Sequence, residues 1–134
     1  MIRQFAADLQ SDVGAYQALI DLLELQFTAS LNQQTAQLSA LLARISTQLA
    51  EIELRRQRRS KIIKALSPDD ARCEALIATL PNALQSVCQQ KWQQLALLLK
   101  QAKALNQRNG EFILSQQEIM QRILFGEQDI YDPL

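Results

Sequence analysis

Apolar residues recur every seven positions in two separate parts of the chain, and this limits the available folds more than any other feature. Leu31, Leu38, Ile45 and Ile52 form one row, with Leu42 and Leu49 between them. Leu98, Leu105, Phe112 and Ile119 form a second row, accompanied by Leu95, Ala102, Asn109, Gln116 and Ile123. A seven-residue repeat is 3.5 residues per turn, the spacing of helices that bury one stripe against a partner helix. Upstream, Leu9, Val13, Tyr16, Ile20, Leu23 and Phe27 step by three and four and lead into the first row. The weak seam "TASLNQQTA" predicts a stutter or gentle bend near Phe27–Thr35. Gly14 is a second soft spot. The chain has only 3 Gly and 3 Pro, so few turns are available and long helices follow.

The strongest break is "LSPDD" at 66–70. Ser67 can cap, Pro68 suits a first helical position, and Asp69 and Asp70 complement the positive end of a helix. A short helix is expected over about 69–79. Pro81 then opens a long helix over 82–125. The stretch "LNQRNGEFIL" at 105–114 contains poor helix formers, with Gly costing about 1 kcal/mol relative to Ala. The apolar phase is unbroken across Asn109–Gly110, so the helix is expected to run through them. Its length is then about 66 Å at about 1.5 Å per residue. Gly126 fits the position just past its end, and the short acidic stretch 126–134 is expected to be a mobile tail. The expected fold is all-α: one domain over 1–125, an antiparallel hairpin of two long helices with a short connecting helix.

Composition excludes several functions. The formal net charge is zero and the pI about 6.2, which gives no basic face for nucleic acid and no electrostatic reason to dock on a membrane. No apolar run approaches the roughly 20 residues of a membrane span. The N-terminus lacks the basic start and apolar centre of a signal peptide, so a cytoplasmic protein is expected. Cys73 and Cys88 are too few for a disulfide framework and read as buried small hydrophobes. Histidine is absent, which removes the commonest general base and metal ligand. There is no phosphate-binding glycine loop and no Cys-x-x-Cys, and Asp69–Asp70 reads as helix capping. No enzyme activity and no cofactor are expected.

Two features remain for function. "ELRRQRRSKIIK" (53–64) carries six positive charges: Arg55, Arg56, Arg58, Arg59, Lys61 and Lys64. They read as a solvated face near a helix C-terminus, as a site for an acidic partner or phosphates, or as partners of Glu74 or Asp70. The other feature is 105–125. Asn106 and Asn109 are three apart at seam positions, beside Gly110. They form either a register device, in which buried polar groups fix which helix faces which, or the start of a binding surface. After them, Phe112, Ile113, Leu114, Ile119, Met120, Ile123, Leu124 and Phe125 exceed what a thin hairpin buries. Such an excess suggests a partner site of the helix-in-groove kind.

Three stretches in this order resemble the FlgN-type flagellar export chaperones. They are "AYQALIDLLELQ" (15–26), "EIELRRQRRSKIIKAL" (51–66) and the most distinctive, "LNQRNGEFIL" (105–114). The resemblance implies an all-helical cargo chaperone that holds hook-associated (hook–filament junction) proteins before type III export. Its C-terminal region would bind an amphipathic C-terminal segment of each client. The polar pair and the apolar excess at 105–125 give the expected cargo-binding residues: Asn106, Asn109, Gly110, Phe112, Ile113, Ile119, Met120, Ile123 and Leu124. Tyr131, in "DIYDPL", stands where the family's tail tyrosine engages the cytoplasmic domain of the export gate. A monomer or weak homo-oligomer is expected. The competing expectation is a self-assembling structural coiled coil with no client, and a third is an adaptor that uses the arginine cluster.

Overall fold

A computed structural model describes the backbone of residues 1–131, and the side chains of these residues except 117, 120, 121 and 123–131. The described residues are almost entirely helical, with no strand among them. Its elements are α1 (Ile2–Leu31), α2 (Thr35–Leu66), α3 (Cys73–Ala78) and α4 (Asn82–Tyr131).

The first 66 residues do not form one bent helix. At 32–34 the chain reverses, and α2 returns antiparallel to α1. Gln33 adopts the left-handed conformation (φ 54°), and the N–H of Gln34 bonds the carbonyl of Ala29 at 2.9 Å. The sequence pattern hides this reversal because the three linking residues nearly equal one helical turn, so the apolar phase carries across. A stripe reports phase and not direction. The fold is therefore three long helices and a short one, in place of the expected two-helix hairpin.

Helix α1 is central, and both α2 and α4 pack along it. Arg55 and Arg58 reach back to Asp12 and Asp8, which sets the antiparallel register with α2. Asn109 meets Leu23 and Phe112 meets Phe27, which sets α4 parallel to α1. One buried cluster joins Phe5, Leu9 and Val13 to Ile62, Ile63, α3 and the start of α4. A second joins Leu19, Ile20, Leu22 and Leu23 with Leu41, Ile45, Ile52 and Ala102. Cys73 and Cys88 are buried in the first, as expected. Burial pushes the Cys73 thiol up to about 12.

The connection after α2 differs in detail from expectation. The short helix begins at Cys73 and not at 69, so Asp69 and Asp70 lie outside it. The Ser67 hydroxyl donates to the carbonyl of Asp70 at 2.8 Å and does not cap a helix. The Asp70 carboxylate is held by Arg72 at 2.7 Å. Pro81 opens α4 as expected, its carbonyl accepting the N–H of Gln85 at 2.8 Å.

Helix α4 runs unbroken through Asn109 and Gly110. It also continues past Gly126 to Tyr131, so Gly126 does not mark its end. At 50 residues it spans about 75 Å. Helix α1 stops at Leu31, only four residues after the Phe27–Phe112 contact. The last fifteen or so residues of α4 therefore project beyond the end of α1.

Candidate client-binding face and its polar base

The arginine cluster has an internal role. Asp8 and Asp12 on α1 are only 2% and 1% exposed. Arg55 and Arg59 both pair with Asp12, the latter at 2.8 Å, and Arg58 makes a two-pronged pair with Asp8 at 2.7 Å. Arg56 pairs instead with Glu53 on its own helix. The expected partners Glu74 and Asp70 take none of these arginines. The acids were legible in the sequence: Asp8 and Asp12 are four apart, on the inner side of α1. Two charges within an apolar stripe need partners, because an unpaired buried charge is costly. Burial raises the Asp8 carboxyl, but hydrogen bonds from Arg58 and Gln4 and the charges of Arg58 and Arg55 bring it below the usual carboxylate range.

The two asparagines separate. Asn109 is 2% exposed and Asn106 is exposed, so they do not share a binding face. The Asn109 amide donates to the Leu23 carbonyl and to Gln26 Oε1, each at 2.8 Å. Its oxygen accepts from Arg108 at 3.1–3.2 Å. Arg108 also lies 3.8 Å above the Phe27 ring and reaches Glu24. Asn109 thus locks α4 onto α1 and is not free for a client. Of the two alternatives, this residue takes the register role.

The remaining site residues follow a gradient along α4. Cys88, Leu95, Ala102 and Asn109 are buried in succession. Phe112 and Ile113 are half-buried, Phe112 edge-on to Phe27 with ring centroids 5.5 Å apart. Leu114 and Ile119 are then 55% and 54% exposed. Gly110 is exposed, and a Cβ placed on it would meet nothing within 4 Å. No packing inside this chain therefore requires glycine there. The side chains of Met120, Ile123, Leu124 and Tyr131 lie outside the described residues.

A cleft of about 230 Å³ opens where α1, α2, α3 and α4 meet, lined by Tyr16, Arg59, Glu74, Trp92 and Leu99 among others. Arg59 lies 5.5 Å above the Trp92 ring, whose indole N–H donates to Glu74 at 3.0 Å. Sequence reasoning did not single out this cleft. Among the described residues, no His, Cys, Asp and Glu cluster could hold a metal, and no helix is long and apolar enough to cross a membrane.

No curated protein matches the chain, and no solved structure matches it. A protein-family model, described as FlgN protein, matches residues 1–125, and that span covers the polar base and the exposed start of the α4 face. The chain belongs to the FlgN family of flagellar export chaperones.

Proposed function

We propose that this protein holds hook–filament junction proteins by their C-terminal segments, prevents their premature assembly and delivers them to the export gate. The observation that carries the proposal is the α4 gradient: a helix locked to the bundle at Asn109 goes on to present Leu114 and Ile119 to solvent. A folded domain that leaves aliphatic side chains exposed along a projecting helix offers a surface for another amphipathic helix. Gly110 allows close backbone approach, and Asn106 supplies a free amide beside it. Ile119 is exposed beyond them, and the sequence alone nominates Met120, Ile123 and Leu124 as further members of the face.

Binding must be firm yet reversible. A micromolar contact corresponds to about 8 kcal/mol, and burying each aliphatic side chain contributes about 1.5–3 kcal/mol. Association also costs about 4–15 kcal/mol in lost freedom, so the client must cover more than three or four such residues. The role of the gate contact falls to Tyr131, near the end of the chain.

The test is titration calorimetry with the C-terminal segment of a hook-associated protein. Replacing Ile119→Asp and Ile123→Asp together should abolish binding while leaving the helical content and the melting temperature unchanged. A folded double variant that binds with unchanged affinity would place the client site elsewhere. Tyr131→Ala should weaken association with the gate's cytoplasmic domain and leave client affinity alone. Equal loss of both would contradict this separation of roles.

A further inference from the structure

The contact between Arg59 and Trp92 is where α2 and α4 approach each other through side chains. Their backbones stay apart: no Cα pair between them comes within 8 Å among the described residues. From this contact both helices can be followed at three- and four-residue steps toward the α1–α2 turn. On α4 the stripe runs Trp92, Ala96, Leu99, Lys103, Asn106, Gly110. The first three line the cleft, and the last three are exposed. On α2 the stripe runs Arg59, Arg56, Ile52, Leu49, Ile45, Leu42. Ile52 and Ile45 are buried in the same cluster as Ala102, whereas Leu49 and Leu42 are 48% and 57% exposed. Arg44 and Thr47 of α2 line a cleft with Asp21 and Leu25 on the side of α1 away from Leu23 and Phe27, which meet α4. Leu42 and Leu49 lie on the opposite flank of α2 at helical spacing, and so on the α4 side of α1. The two stripes are thus the walls of one groove.

We infer that this α2–α4 groove seats the client's amphipathic helix, which runs from Leu114, the next exposed apolar position on the Gly110 stripe, down to the Trp92 cleft. The inference rests on the chaperone reading above and extends its site to a second wall, Leu42 and Leu49. From Gly110 to Trp92 the groove runs about 27 Å, the length of roughly 18 helical residues. Charge sets the occupant. Among the described residues, neither Glu74 at the cleft end nor Lys103 along the wall takes part in an ion pair. The fitting helix carries a basic side chain opposite Glu74 and an acidic one opposite Lys103.

Trp92 is the one tryptophan of the chain, so it reports on the groove directly. The experiment titrates the C-terminal segment of a hook-associated protein into the full chain, following Trp92 emission and calorimetry together. Binding should change Trp92 emission. Leu42→Asp and Leu49→Asp, at exposed positions, should each weaken binding at least about tenfold with no loss of melting temperature. Lys103→Glu, on the open rim, should weaken it in a manner that fades with added salt. If the segment binds wild type but Trp92 emission stays constant and the leucine variants bind normally, the groove inference is overturned and the chaperone reading stands. If the segment does not bind wild type at all, both fall. A Trp92 signal that follows the protein's own concentration, with dimers lost in Leu49→Asp, would assign the groove to a second copy and overturn the inference.

Discussion

At the residue scale, two buried polar positions determine the arrangement. Asp12 neutralises Arg55 and Arg59 at the α1–α2 seam. Removing one partner of a buried pair leaves an uncompensated charge, which costs about 3–5 kcal/mol. Asp12→Ala should therefore lower stability severely, as measured by urea unfolding. Asp8 gives a pH dependence. Its carboxyl is depressed in the folded protein, so its contribution is fully present above the unfolded value near 3.8. That contribution is lost as pH falls through the lower folded value. Asp8→Asn should flatten the loss of stability below about pH 4, seen in melts across pH 2–6. Asn109→Ala removes two short hydrogen bonds to α1 and should cost about 1–3 kcal/mol. The sequence placed Asn109 on a seam but could not choose between register and recognition. The choice depends on what faces it, and Leu23 and Gln26 lie more than eighty residues away.

At the element scale, the sequence disclosed helices well and their directions poorly. The continuity of α4 was legible because apolar phase survives Asn109–Gly110. The reversal at Gln33 was not, because a three-residue link preserves phase just as a continuous helix does. Glycines and left-handed residues make this scale testable. Gly110 is helical with open space around its Cα, so Gly110→Ala should raise the stability of the free protein by about 0.5–1 kcal/mol. If Gly110 is kept for close approach of a client, the same variant should weaken client binding. Stabilisation with unchanged binding would remove Gly110 from the site. Gln33 has a φ that L side chains adopt at a cost, so Gln33→Gly should stabilise the turn modestly or leave thermal unfolding unchanged. A large loss there would contradict the turn.

At the scale of the whole molecule, one long helix serves two purposes. Its first thirty-five or so residues complete a bundle around α1, and its remainder extends past the end of α1. The sequence of α4 stays apolar after α1 ends, and the proposed client contact uses this stretch. In the sequence the surplus of apolar residues after Gly110 could be counted, but the point where cover ends could not be read. That point depends on where α1 stops, and α1 stops at the turn the apolar pattern concealed. The central claim is that the client lies along α4 beyond its lock at Asn109. Hydrogen–deuterium exchange of the full chain, with and without the C-terminal segment of a hook-associated protein, tests it most directly. The account predicts that binding slows exchange across 105–122 and leaves the 32–34 turn unchanged. Protection confined to other parts of the bundle, with 105–122 unaltered at saturating client, would contradict it.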